Sequence, residues 1–259
     1  MCVVNTPVSY HDNLGLYVKH EEQCCPGGPN FSKTRGVFVH VKSRPEPLIG
    51  VLDTSHSQGG WAVARACSLL GKQCRLFYPK FKADTSNVLK PQQAAARSLG
   101  AELVPITAGR SAILYNRVRK SVDYMMPNAL KLPESVAETA AEVARTAIPN
   151  DINAVLVSAS SGTIAAGVIR GLEDRAVAII VHLGYSRPID PLRRYLAKMV
   201  GWDAGPTIID EEYEYKDVAH SDFTPPDFPC NQHYDLKAWR WWVREGQDRY
   251  GKALFWNIG

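Results

Sequence analysis

Apolar positions along the chain fall into short runs separated by Gly, Pro and small polar residues, and the spacing within each run tells strand from helix. Residues 14–19, LGLYVK, alternate as a strand does, and the EEQCCPGGPN loop after them is dense in turn formers. VFVHV at 37–41 also alternates, but the same residues fit a helix if tertiary packing sets the local choice. From Leu48 onward strand and helix patterns take turns. LIGVLD reads as a buried strand, SHSQGG as a loop, and 61–70 as a helix ended by Gly71. CRLFYP is a strand closed by Pro79, PQQAAARSLG a helix with Pro at its start and Gly at its end, and AELVPI the next strand. Helices are expected at 110–122 and 134–147, the second carrying Glu134, Glu138 and Glu142 on one exposed face. AVAIIVHLG at 176–184 is a buried strand, and 190–200 a basic helix. Residues 202–234 are irregular, rich in acid and Pro; a helix over 235–247 and the strand ALFWNI close the chain.

This alternation implies an α/β protein with a mainly parallel sheet covered by helices on both faces. The stretch organising it is VLVSASSGTIAAG at 155–167, an apolar run that stops at small polar residues and resumes with helical character. Such a strand, turn and helix present free backbone N–H groups to an anion. Ser160, Ser161 and Thr163 add hydroxyls, and Gly162 lets the backbone approach a ligand closely. The turn has neither the Lys of a Walker loop nor a G-x-G-x-x-G pattern, so the familiar nucleotide fingerprints do not fit. An ordinary strand-to-helix turn has the same local form. In a sheet of this kind ligands sit at the carboxyl ends of the strands, where the SHSQGG and SASSGT loops fall.

Composition narrows the picture little further. The 259 residues are 45% hydrophobic and 22% charged, as in a globular protein with a large core. No apolar run is long enough to span a membrane and the N-terminal residues lack the pattern of a signal peptide, so a cytoplasmic location is expected. A net charge of +4 permits an anionic partner without demanding one. Six Cys without CxxC spacing read as free thiols, and seven scattered His argue against a metal site. Trp239, Arg240, Trp241 and Trp242 form a Trp-rich stretch that could stack on nucleic acid, although Trp239 and Trp242 share a helical face suited to a core.

Three separated segments together resemble the pyridoxal-phosphate (PLP) enzymes of fold type II, closest to the aminocyclopropane-carboxylate deaminase and D-cysteine desulfhydrase branch. Lys19-His20-Glu21-Glu22 through Pro29-Asn30-Phe31-Ser32-Lys33-Thr34-Arg35 is similar to the branch's glycine-rich loop and places Lys33 at the Schiff-base position. His56-Ser57-Gln58-Gly59 resembles the substrate-carboxylate loop, with Gln58 where the branch has Asn. Tyr234-Asp235-Leu236-Lys237 and Leu254-Phe255-Trp256-Asn257-Ile258-Gly259 look like its Tyr-Glu-Gly-Lys helix start and closing strand, and SASSGT like its phosphate loop. Short phage-encoded relatives, which carry segments such as YMMPNALKLPES, SSGTIAAG, YDLKAW and LFWNIG, are more similar still.

The resemblance implies a large cofactor domain built from 1–47 and 149–259, a smaller α/β domain over 48–148, and a homodimer. It implies PLP held as an imine on Lys33, its phosphate on Ser160, Ser161, Gly162 and Thr163, and its pyridine nitrogen against Asp235 or Asn257. It further implies a substrate carboxylate bound by Ser57 and Gln58, Asn128 lining the pocket, and Tyr234 stacking on substrate or relaying a proton. Asp235 is equally placed to cap the helix that starts there. In phages, enzymes of this sort are linked to thymine hypermodification, in which an amino-acid substituent on the base loses its carboxyl group. Three functions therefore stand: a PLP-dependent lyase that decarboxylates an amino-acid group on thymine in phage DNA, a PLP enzyme of elimination or deamination on a small free amino acid, and a non-catalytic binding protein on the same fold.

Overall fold

The computed structural model describes residues 4–54, 56–80, 88–173 and 175–259; Cys2 and Ser55, each part of a reading above, lie outside the described residues. In chain order the elements are β1 (Val8–His11), β2 (Leu16–His20), α1 (Thr34–Lys42), β3 (Leu48–Leu52), α2 (Gly59–Leu69), β4 (Gln73–Lys80) and α3 (Pro91–Ser98). They continue with β5 (Glu102–Thr107), α4 (Ser111–Val118), β6 (Tyr124–Met125), α5 (Pro133–Arg145), β7 (Ala154–Ala159), α6 (Thr163–Gly171) and β8 (Ala178–Leu183). The chain then runs through α7 (Ile189–Val200), β9 (Thr207–Ile209), α8 (Asp235–Trp241), α9 (Gln247–Tyr250) and β10 (Ala253–Asn257). A wide helical turn, Trp242–Gly246, joins α8 to α9.

Two sheets organise these elements. The first has six strands in the order β1-β2-β10-β7-β8-β9, parallel except for the β1–β2 pair; the second has four parallel strands in the order β5-β4-β3-β6. Parallel strands between helices must bury both faces, which is why β7 is buried along its whole length and apolar except at Ser158. Val155 and Val157 pack on one side with Ile164, Val168, Leu192 and Leu196, while Leu156 faces Trp239, Trp241 and Trp242 on the other. In the second sheet Ile49, Val51 and Leu76 pack against Val63 of α2 and Val37 and Val41 of α1. On its opposite face Leu52 and Phe77 meet Leu114 and Val118 of α4.

The segment 37–41 is helical. Thr34, Val37, His40 and Val41 are buried at three- and four-residue spacings, and this face lies against α2 and α5. Gly36 lets α5 come close, since a Cβ there would fall 2.3 Å from the Ser135 backbone. Although α5 lies within the 48–148 segment, it packs on α6 and α1, so it joins the helical layer of the first sheet to the start of the chain.

The exposed acidic face expected on 134–147 needs correction at Glu142. That side chain is fully buried, with Lys19 Nζ at 2.7 Å and Arg35 Nη2 at 3.3 Å, and burial of an acid requires such partners. The Trp-rich stretch is core: Trp239, Trp241 and Trp242 are at most 3% exposed, leaving no ring free to stack on nucleic acid. The segment 202–234 contains β9 and is tied down by Arg240, which donates to both oxygens of Asp222 and to Glu211 at 2.6–2.9 Å. The helix expected over 110–122 ends at Val118, followed by a single tight turn.

Candidate active site

The carboxyl ends of β3 and β7 and the segment after β10 converge on a cavity of about 250 Å³. Lys33, the residue before α1, reaches into it. Its Nζ donates to Ser161 Oγ at 2.8 Å and to the Ala129 carbonyl at 3.0 Å. Burial pushes this amine down to about 7, with the positive charge of Lys131 adding to the effect. An amine with that pKa is neutral in about half of the molecules at pH 7, which is what nucleophilic attack on a carbonyl needs.

The turn after β7 is built as an anion cradle. Gly162 has φ +83°, and a Cβ there would sit 2.7 Å from Leu192 Cδ1 as well as requiring a left-handed backbone. Ser161 Oγ pairs with Thr163 Oγ1 at 3.0 Å, and Thr163 Oγ1 pairs with Tyr195 Oη at 3.1 Å. Helix α6 begins at Thr163, so its first N–H groups open beside the cavity.

Asp235 begins α8 and is buried at the cavity wall. Its Oδ1 accepts from Ser158 Oγ at 2.8 Å and from the Ile258 N–H at 3.1 Å, while Oδ2 is buried with no hydrogen-bond partner among the described residues. Burial raises its carboxyl to about 6, against the pull of those donors. The carboxylate thus ties α8 to β7 and to the chain after β10, and one oxygen is left over.

Of the residues singled out from sequence, Lys33, Ser57, Asn128, Ser160, Ser161, Gly162, Thr163, Tyr234 and Asp235 line this one cavity. Ser57 Oγ also accepts from the Gly59 N–H at 3.1 Å at the start of α2. Asn128 Oδ1 accepts from Ser111 Oγ at 2.9 Å. Burial, with Tyr215 alongside, holds the Tyr234 hydroxyl well above the usual tyrosine range, so it stays protonated. Two residues lie elsewhere. Gln58 donates to the Asn30 carbonyl at 3.0 Å, and Asn257 donates to Glu22 Oε2 at 2.7 Å and to the Pro229 carbonyl at 2.9 Å; neither is among the lining residues. Their amide N–H groups hold loops together, while Gln58 Oε1 and Asn257 Oδ1 are buried with no partner among the described residues.

Sequence reasoning missed other walls of the cavity. Tyr185, Tyr215 and Asn231 come from irregular segments whose positions no periodicity encodes. Asp53 follows β3, lines the cavity, and is raised to about 7 by burial. Its place at the end of an apolar strand was the available signal. Ala129 and Leu130 hold left-handed φ values of 58° and 49°, a strained backbone at the carbonyl that receives Lys33.

Comparison with known proteins accounts for this arrangement. The family model described as pyridoxal-phosphate dependent enzyme matches residues 1–219. The chain belongs to this family. A relative from Pseudomonas phage M6, named glycyl-dTMP PLP-dependent decarboxylase, is 48% identical over 280 aligned positions covering 100% of both chains. Among solved structures, an ACC deaminase homologue superposes with a TM-score of 0.82 at 19% identity, over 100% of this chain and 90% of the other. Serine racemase from Dictyostelium discoideum gives a TM-score of 0.71 at 12% identity, over 99% of this chain and 92% of the other. These structures share the fold, that of the fold type II PLP enzymes.

The groups present in this PLP-dependent enzyme fit its cofactor. The Gly162 turn offers N–H groups and two hydroxyls to a phosphate, and Lys33 offers a depressed amine to an aldehyde. The unpartnered Asp235 Oδ2 can accept from a protonated ring nitrogen, which would remove an otherwise costly orphan.

Proposed function

We propose that the protein is a PLP-dependent decarboxylase that removes the carboxyl group of an amino acid carried on a thymine nucleotide. The observation that carries this reading is the end-to-end likeness to the phage glycyl-dTMP decarboxylase, joined to a cavity holding a depressed amine, an anion cradle and an orphaned carboxylate oxygen.

In this reading Lys33 holds the cofactor covalently, and Ser160, Ser161, Gly162 and Thr163 hold its phosphate. Asp235, ionised in most molecules at neutral pH, would hold the ring nitrogen through its unpartnered oxygen. When bound, the cofactor supplies an electron sink at the α-carbon, and a carboxylate against its ring nitrogen strengthens that sink. Loss of carbon dioxide breaks the bond to the carboxyl carbon and leaves its electron pair at the α-carbon, which then takes up a proton. Lys33, a titratable amine within the cavity, is the residue that can deliver that proton. Ser57 and Asn128 orient the substrate. Tyr234, protonated throughout the neutral range, serves as a hydrogen-bond donor.

Holoenzyme given thymidine monophosphate bearing a glycyl substituent should release carbon dioxide and leave an amine, and Lys33→Ala should not. Release of ammonia and a keto acid from free amino acids, with the nucleotide untouched, would replace this reading with elimination chemistry. A protein that takes up no cofactor would be a binding protein on the same fold.

A further inference from the structure

A nucleotide substrate adds a base, a sugar and a phosphate to the group that meets the cofactor, and charge to receive that phosphate is found on the flank of the cradle, outside the residues that line the cavity. Two cations stand there. Arg187, in the loop between β8 and α7, donates through Nη1 to the carbonyl of Ser160 in the cradle. Lys131, in the loop before α5, places Nζ 4.8 Å from the centre of the Tyr195 ring, and the hydroxyl of that ring bonds Thr163 on the other side of the cradle.

Neither cation lines the cavity itself, and among the described residues no carboxylate lies within ion-pair distance of either. The paired cations elsewhere behave differently: Lys19, Arg240 and Lys252 each have a carboxylate within 3 Å. Beside the cradle the charges act against one another instead. Burial, and after it the charge of Arg187, disfavours the charged form of Lys131, and Lys131 adds to the burial that disfavours that of Lys33. Like charges held together without a counter-ion are costly, and an anion placed between them would relieve the cost.

We propose that Lys131 and Arg187 form a second anion subsite, outside the cofactor cradle, that binds a phosphate ester of the nucleotide substrate. The inference rests on the decarboxylase reading for the identity of the substrate, although its test does not depend on turnover. The cradle already offers the cofactor phosphate backbone N–H groups and two hydroxyls, and the two cations stand beside it, outside the residues that line the cavity. The same chemistry would receive the phosphomonoester of a free nucleotide or the phosphodiester of DNA.

Binding of three probes to the holoenzyme, measured by calorimetry, tests the subsite: thymidine, thymidine 5′-monophosphate, and a short single-stranded oligothymidylate. The wild type should prefer a phosphorylated probe to thymidine. Lys131→Glu and Arg187→Gln should each collapse that preference by about tenfold or more, since each removes one charge-assisted contact. The cofactor content of each variant is read from its absorbance alongside, because Arg187 supports the cradle and Lys131 helps to depress Lys33. Because Arg187 also supports the cradle, Lys131→Glu is the cleaner of the two. A preference for the monophosphate identifies a free nucleotide as the source of the phosphate, and a preference for the oligomer identifies DNA.

Equal wild-type affinity for thymidine and both phosphorylated probes would overturn the proposal. So would loss of cofactor from both variants, which would assign the two cations to the cofactor phosphate. Failure of the decarboxylase reading looks different: no carbon dioxide from the glycylated nucleotide, whatever the phosphate preference.

Discussion

The depressed amine of Lys33 makes a quantitative prediction. An ordinary lysine at 10.5 is neutral in about one molecule in three thousand at pH 7, whereas one at about 7 is neutral in about half. If covalent capture of an aldehyde requires the neutral amine, Lys33 should react roughly a thousand times faster at pH 7 than an exposed lysine of equal intrinsic reactivity. Pyridoxal, which lacks the phosphate, isolates the amine from the opposing effect of a docked dianion. Stopped-flow absorbance of the apo protein mixed with pyridoxal should show a rate that rises tenfold per pH unit below pH 6 and levels off by about pH 8. Removing the neighbouring charge by Lys131→Ala should move the plateau to higher pH, because one cause of the depression is gone. A rate climbing without a break through pH 9 would show that Lys33 titrates as an exposed lysine, and the argument from burial would fail.

Asp235→Asn keeps an oxygen for Ser158 and Ile258 but removes the charge, and decarboxylation should fall by about 100-fold or more while the fold is retained, as circular dichroism and steady-state rates can check. Gly162→Ala meets Leu192 at 2.7 Å and demands a left-handed alanine, so it should cost roughly 1–3 kcal/mol in thermal unfolding and weaken cofactor affinity in a PLP titration. Glu142→Gln strands the buried ammonium of Lys19 and should destabilise by roughly 3–5 kcal/mol in denaturant melts. The Glu142 carboxyl is held below its ordinary range by Lys19, Arg145 and Arg35, which together outweigh burial. Its contribution is therefore present above the normal carboxylate pKa and is lost as pH falls through the lowered folded value, so the wild type should lose more stability on acidification than Glu142→Gln.

Period and punctuation in the sequence determined the strand and helix alternation, the parallel sheet and the tight turn at 160–163, because a doubly buried strand that stops at small residues before a helical pattern must turn there; that the turn faces Lys33 was set by the fold. The family likeness of separated segments pointed to Lys33 and Asp235, and the fold sets both at one cavity. The segment 37–41 was undecidable locally. Its apolar residues satisfy either period, and only packing against α2 and α5 selected the helix. Glu142 carried the pattern of a solvated acid, yet Lys19 and Arg35, more than a hundred residues earlier, made its burial affordable. Asn257 and Gln58 stood within the motifs, and their amide N–H groups went to Glu22, Pro229 and Asn30. Spacing along a chain fixes which face of its own element a side chain occupies; which distant group waits opposite that face is set by tertiary structure, and that decided the wall of Tyr185, Tyr215 and Asn231 and the cations beside the cradle.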